Sequence, residues 1–176
     1  MKPKELHTDR KGVVLKEATK EDDIEWLLAN RHFTHHLKPH MIGAPDVRKY
    51  SKLRQEREEE IDVWRYGVWD KALSETPVFL GFVSFSPVET EDADTVKLEC
   101  EIVEEYRGRG YGKLAVKAAI NRAHEEGFER IVADVPPENI AARILAESIG
   151  FRPAGESPGH IRYAQDATMH EPLNLA

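Results

Sequence analysis

A chain of 176 residues with 40% hydrophobic and 32% charged side chains is long enough for one domain with a proper core, and too apolar to be disordered. Its formal net charge of −7 argues against nucleic acid as a main partner, because phosphate backbones call for a basic footprint, and is compatible with a cationic ligand such as an amine. No apolar run is long enough to span a membrane, the polar start is no signal peptide, and one cysteine forms no internal disulfide, so a reducing cytoplasm is expected.

Residues 1–11 are polar and read as a loose segment ahead of a domain covering 12–173. A first strand is expected over 12–18, with Val13 and Leu15 on one face. Thr19 or Glu21-Asp22 opens a helix to Asn30 that buries Ile24, Leu27 and Leu28. A less regular connector, 32–42, leads to a charged helix over 45–61. Three strands follow at 62–69, 78–86 and 95–103, separated by turn signals at 74–77 and 89–94. Then come a helix over 110–126 and a strand over 128–135, which Pro136-Pro137 stops because proline donates nothing to a ladder. Asn139 caps a helix to Ile149, Gly150 closes it, and two strands near 151–156 and 161–173 end the chain. The order βααβββαβαββ is an α/β mixed sheet, mostly antiparallel, with a parallel crossover at 95–135.

His32, His35, His36 and His40 stand at spacings that would gather imidazoles on a helix, but Pro39 limits that helix and no nearby cysteine or carboxylate completes a metal set; no metal is expected. The acidic 56–60 run reads as the solvated face of a helix, and Trp26, Trp64 and Trp69 as core or rim aromatics.

The most informative segment is Arg107-Gly108-Arg109-Gly110-Tyr111-Gly112, between the strand ending near Val103 and the helix that follows. A Gly-rich turn at a helix N-terminus is an anion site, since the first backbone N–H groups lack internal acceptors. Two nucleotide patterns fail. Gly112-Lys113 is followed by Leu114, not by the hydroxyl residue of a P-loop, and the glycines lie two apart, unlike the dinucleotide fingerprint. The pattern Arg/Gln-x-x-Gly-x-Gly/Ala is matched by Arg107, Gly110 and Gly112. It is the pyrophosphate signature of the GNAT superfamily of N-acetyltransferases, which the chain resembles. A second motif of that superfamily, Asn-x-x-Ala/Ser…Leu…Gly-Phe, is similar to the stretch from Asn139 to Phe151. The resemblance runs over roughly 12–173 and is specific over 95–151, while 166–173 resembles the last strand of the branch that acetylates ribosomal-protein N-termini and similar amines.

This resemblance implies acetyl-CoA as cosubstrate. It implies a pyrophosphate held by backbone N–H groups of Arg107, Gly108, Arg109, Gly110, Tyr111 and Gly112, with Lys113 next in the helix. The strand end, Ile102 and Val103, would hydrogen-bond the pantetheine, and Asn139 would face it or serve as a plain helix cap. The amide near Ile102 would polarise the thioester carbonyl.

Strand alternation puts Glu99 and Glu101 on the face opposite Leu98 and Cys100. If that face lines the cleft, one carboxylate takes the ammonium proton, or both bind a cationic substrate; otherwise they form a solvated face balanced by Lys97. The resemblance adds Asp134, at a position that carries a catalytic glutamate in some ribosomal-protein acetyltransferases. Many family members have a tyrosine that protonates the departing thiolate where this chain has Ala146; Ser148 is no substitute, and Tyr163 or Tyr111 are the tyrosines left to consider. The expectation is a transferase acting directly on a primary amine, on a small molecule or a protein N-terminus, with a homodimer compatible because dimers are common among similar proteins. A non-catalytic acyl-CoA-binding regulatory module is the alternative.

Overall fold

The computed structural model describes residues 5–18, 64–88 and 94–167. The helices expected over 19–30 and 45–61, the histidine-bearing connector, the 56–60 run, Trp26 and the end of the last strand lie outside the described residues. Eight strands form one sheet: β1 (Leu6–His7), β2 (Val13–Glu17), β3 (Trp64–Asp70), β4 (Val78–Pro87), β5 (Thr95–Ile102), β6 (Arg130–Val135), β7 (Arg152–Ser157) and β8 (His160–Asp166). Two α-helices are described, α1 (Tyr111–Glu125) between β5 and β6 and α2 (Ile140–Ser148) between β6 and β7, with one 3₁₀ turn ahead of α1. The spatial order is β1-β2-β3-β4-β5-β6-β8-β7, and β5–β6 is the one parallel pair among them.

Residues 5–11 depart from the loose segment expected. Leu6 and His7 pair with Leu15 and Val14, and the turn between them is closed by Val13 N–H donating to the Arg10 carbonyl (3.0 Å) and by buried Thr8, whose hydroxyl donates to the Val13 carbonyl (2.9 Å). The polar composition concealed a hairpin because its hydrogen bonds are local and need few apolar side chains.

Alternation along the strands sorts residues between the two faces. Val13, Leu15, Val68, Leu80, Val83, Phe85, Val96, Leu98, Ile102 and Ile131 are buried in one core beneath α1. The buried face of α1 is mostly small, with Ala115, Ala118, Ala119 and Ala123 around Val116 and Ile120, which lets the helix lie close to the sheet. The helix ends where Gly127 takes φ +97° and Phe128 N–H reaches back to the Ala123 carbonyl (3.1 Å). On the opposite face Phe79, Phe82 and Val103 form a smaller cluster, with Trp69 edge-on to Phe79 at 5.3 Å.

The alternation breaks once in β4. Val68 pairs with Gly81 but Trp69 pairs with Phe79, so Leu80 is the extra residue of a bulge. Leu80 and Val83 thus both face α1 although three positions apart, while Phe79 and Phe82 turn to the other side. Gly81, with φ +151°, passes so close to Glu101 that a Cβ there would overlap the Glu101 carbonyl oxygen. The bulge therefore sits against the C-terminal end of β5.

Candidate functional site

The central seam of the sheet opens along its length. Only Thr95, Val96 and Lys97 pair with Arg130, Ile131 and Val132. Beyond that, residues 98–102 of β5 and 133–135 of β6 do not pair with each other, whereas the outer edges of both strands stay paired with β4 and β8. Backbone direction follows from the antiparallel rule. Val103 N–H donates to the Leu80 carbonyl at 2.8 Å, so the N–H and C=O groups of Glu101 and Glu99 also turn toward β4. Those of Ile102 and Cys100 turn the other way, into the opening. The Ile102 carbonyl there accepts a hydrogen bond from Arg107 Nε at 2.8 Å.

The Gly-rich loop follows directly. Glu104–Tyr106 form one 3₁₀ turn, in which Arg107 N–H donates to the Glu104 carbonyl (3.1 Å). Arg107 thus lies in the loop as expected, but its amide is engaged within the turn and its side chain on β5, so the cradle begins at Gly108. Gly108 and Gly110 take φ +73° and +84°, a region that disfavours other residues. Gly110 is the N-cap of α1, and no side chain caps the helix. The amides of Tyr111, Gly112 and Lys113 have no acceptor within their own helix, and its first turn carries no acidic residue. Gly112 behaves differently from the other two: it has helical geometry and fits between Ile102 and Leu145, where a Cβ would make ordinary contacts of 3.8 Å. Arg107, Gly108, Arg109, Gly110 and Lys113 are exposed, and Arg109 lies over the Tyr106 ring at 5.5 Å.

The three predicted carboxylates share the sheet face opposite α1. Glu101 stands opposite Phe82 and Glu99 opposite Ser84 across β4–β5, both exposed. Lys97, on the same face, forms an ion pair with Glu99 at 3.5 Å. Asp134 lies across the opening on the same side, because Val132 is level with Lys97 and alternates with Ala133. Its two oxygens are both held by Arg162, opposite it on β8: Nε donates to Oδ1 at 2.8 Å and Nη2 to Oδ2 at 2.9 Å. That hydrogen-bonded guanidinium pulls the Asp134 carboxyl below its ordinary range, against a smaller opposing effect of burial. Asp134 is therefore a clamped anion, a weaker proton acceptor than its position alone implies, and Glu101 is the carboxylate at the open end of the seam. The partner of Asp134 escaped sequence reasoning, since it depends on the β6–β8 register.

The remaining candidates are placed as follows. Asn139 caps α2, its Oδ1 accepting from Ala142 N–H at 3.1 Å. Cys100 packs against the core, and burial first, then Glu101, pushes its thiol up to about 12. Ala146 is buried at the base of α2, and Ser148 Oγ donates to its own helix at the Leu145 carbonyl (2.8 Å). Tyr111 and Tyr163 are both buried with engaged hydroxyls. Tyr111 donates to Asp70 Oδ2 (2.8 Å), and Tyr163 donates to Glu147 Oε1 (3.1 Å) while accepting from Arg143 Nε (3.4 Å). Burial, then the bond to Asp70, raises the Tyr111 phenol further above its usual range. Neither tyrosine is presented to the opening as a ready acid. Among the described residues no three His, Cys, Asp or Glu side chains gather as a metal site, and no helix is long and apolar enough to cross a membrane.

Together, an opened seam exposing backbone donors and acceptors, an uncapped helix start and flanking cations fit a long ligand with amides at one end and phosphates at the other. The comparisons with known proteins bear on the fold and the family. The family model of the acetyltransferase (GNAT) domain matches residues 13–152. Among solved structures, Mycobacterium smegmatis RimJ in complex with a CoA-disulfide superposes with a TM-score of 0.71 at 21% identity, covering 96% of this chain and 91% of that one. RimL, a ribosomal α-N-protein acetyltransferase in complex with coenzyme A, gives 0.73 at 16% identity, over 95% and 100% of the two chains. The microcin self-immunity acetyltransferase MccE, in complex with acetyl-CoA and AMP, gives 0.69 at 14% identity, over 90% and 94%. Among curated proteins, human N-acetyltransferase 8B is 30% identical over 66 residues, which are 38% of this chain and 29% of that protein's length.

Proposed function

The chain belongs to the GNAT acetyltransferase family, and from that premise we propose that it transfers an acetyl group from acetyl-CoA directly to a primary amine on a small molecule or a protein N-terminus. The observation that carries this reading is the seam between β5 and β6, paired over three residues and open beyond them, with the Gly108–Lys113 cradle at its mouth. Acetyl-CoA, when bound, supplies an acetyl group activated as a thioester. The amides of Gly108 to Lys113 hold its phosphates with the positive end of α1 behind them. The Ile102 N–H, turned into the opening, is the donor for the carbonyl oxygen as negative charge develops on it.

Glu101 receives the proton of the incoming ammonium, and Glu99, held by Lys97, adds negative charge that attracts a cationic acceptor. Asp134, fixed by Arg162, shapes the far wall. Direct transfer is favoured over an acetyl-cysteine route because Cys100 faces the core with its thiol pushed up to about 12. RimL, the ribosomal α-N-protein acetyltransferase among the structural neighbours, supports a protein N-terminus as acceptor. A thiolate that leaves without a dedicated tyrosine acid is consistent with the tied hydroxyls of Tyr111 and Tyr163. The single, packed cysteine suits a reducing, cytoplasmic setting.

The test is thermal unfolding with acetyl-CoA, CoA, ATP and NAD in parallel, followed by a panel of amines that includes N-terminal peptides. At about 100 times its dissociation constant a ligand that binds the native state adds about 2.7 kcal/mol. For a domain of this size that is a shift of about 5–11 °C. A shift with both CoA species and turnover of an amine is the expected result. No shift with either overturns the reading. A shift without turnover of any amine replaces it with the acyl-CoA-binding regulatory module.

A further inference from the structure

We propose that Arg10, on the turn between β1 and β2, is a phosphate-binding residue of the cosubstrate site. This inference rests on the acetyl-CoA reading above. It adds a residue that lies 99 positions from the loop it serves and outside the motif from which that loop is read.

The Arg10 guanidinium is seated on the loop. Its Nη2 donates to the Arg109 carbonyl at 3.2 Å, its centre lies 5.1 Å from the Tyr111 ring centroid, and a Cβ at Gly110 would stand 3.6 Å from Nη2. It thus lies against the turn that opens α1, bonded to Arg109 and resting near the Tyr111 ring, where Gly110 takes φ +84°. A guanidinium has five N–H donors in a planar fork, so a bond to the Arg109 carbonyl and an interaction with the Tyr111 hydroxyl still leave donors for a phosphate. Arg10 is exposed, and no carboxylate among the described residues forms an ion pair with it.

The carboxylates nearest in sequence and space are engaged elsewhere. Asp9 is held by Lys117 Nζ at 2.6 Å, while Asp70 accepts from the Tyr111 hydroxyl and from Ala72 N–H, each at 2.8 Å. A cation without an acidic partner among the described residues, in a chain of net charge −7, stands beside Arg109 at a helix start that no side chain caps.

The hairpin is also held in place before any ligand arrives. The Asp9–Lys117 pair fastens the turn to α1, and the Thr8 and Val13 hydrogen bonds fix the turn itself. Tyr111, anchored through Asp70, supplies the aromatic surface on which the guanidinium rests. Arg10 therefore reaches a phosphate with little ordering left to do.

The phosphate it meets is either in the diphosphate or at the 3′ position of the CoA ribose, and the experiment separates them. Dissociation constants for CoA and 3′-dephospho-CoA are measured by calorimetry for the wild type, Arg10→Gln and Arg10→Lys, at low and at moderate salt. Melting temperatures are recorded without ligand. Arg10→Gln is expected to weaken CoA by roughly tenfold at low salt, the scale of a solvent-discounted charge-assisted contact. The loss shrinks as salt rises, Arg10→Lys recovers part of it, and the unliganded melting temperature stays within about 2 °C.

Equal losses for the two ligands assign Arg10 to the diphosphate, and a loss confined to CoA assigns it to the 3′-phosphate. Binding of CoA by Arg10→Gln within twofold of the wild type overturns the proposal. So does a loss that is salt-independent and follows a fallen melting temperature, which would make Arg10 a brace for the loop alone. A wild type that binds neither ligand refutes the acetyl-CoA reading itself, a result distinct from failure of Arg10.

Discussion

Replacing Gly81 by alanine tests the geometry on which the opened seam depends. The glycine takes φ +151°, and an added Cβ would overlap the Glu101 carbonyl oxygen while lying 2.9 Å from Ile102 Cα and 3.0 Å from Glu101 C. All three atoms are backbone, so no side chain can swing away. Relief requires β4 and β5 to separate beside the bulge, where Val103 N–H donates to the Leu80 carbonyl at 2.8 Å. A backbone conformation of this kind costs a non-glycine residue about 1–3 kcal/mol. Loss of the adjacent hydrogen bond adds about 1 kcal/mol. A destabilisation of about 3 kcal/mol lowers the melting temperature by about 6–12 °C in a domain of this size.

The assay is urea denaturation with calorimetry, using Ser84→Ala on the same strand as a control expected to stay within about 0.5 kcal/mol. Because Gly81 is opposite Ile102, CoA binding by the folded fraction should weaken as well. A Gly81→Ala protein as stable as the control, with unchanged CoA affinity, would refute the close approach of β4 to the end of β5.

Three further outcomes follow from the site. Glu101→Gln should lower kcat by roughly 100-fold or more and abolish the acidic limb of its pH profile, while Glu99→Gln acts mainly on the KM of cationic acceptors; equal effects of the two would remove the distinction between them. Cys100→Ala should retain turnover, and with its thiol buried and pushed up to about 12 the folded protein should react with a disulfide reagent at pH 8 far more slowly than the unfolded chain; labelling as fast as in the unfolded chain would place Cys100 in the opening. Arg162→Met removes the clamp on Asp134. Since Arg162 depresses the Asp134 carboxyl from its ordinary 3.8, the pair stabilises the fold above that pH and loses its contribution as pH falls through the lowered native value. The stability gap between wild type and Arg162→Met should therefore be full at neutral pH and narrow below about pH 4; a gap that widens on acidification would reverse the assignment.

What the sequence made legible was local. The alternation of β5, the Gly-rich turn and the Asn139 cap each lie within a dozen residues of contiguous chain, and each is found where periodicity and cap chemistry place it. The order of strands around the crossover is equally readable, because a βαβ unit admits few arrangements. What stayed hidden was set by register between distant strands. The clamp of Asp134 by Arg162 requires the β6–β8 pairing, and the bulge at Leu80 is visible only from its two misaligned neighbours on β3. The β1–β2 hairpin was missed for another reason. Its strands are two and five residues long, too short for alternation to register in the first, and its attachment to the loop joins residues 10 and 109. Gly112, which the motif groups with Gly110, has helical geometry instead, and a Cβ there would meet Ile102 and Leu145 at an ordinary 3.8 Å.

The short pairing of β5 with β6 has a consequence for how such a protein can change over time. A sheet opened from within carries two internal edges, and edges of that kind ordinarily invite a foreign strand. On the acetyl-CoA reading proposed above, the guest would be a chain of amides that is not a peptide, accommodated as an added strand would be, by main-chain donors and acceptors. Recognition written in the backbone places little demand on the identity of the side chains along it. Substitutions can accumulate over most of the two strands while the slot persists, and new acceptors can be recruited by altering the surrounding face without disturbing the donor.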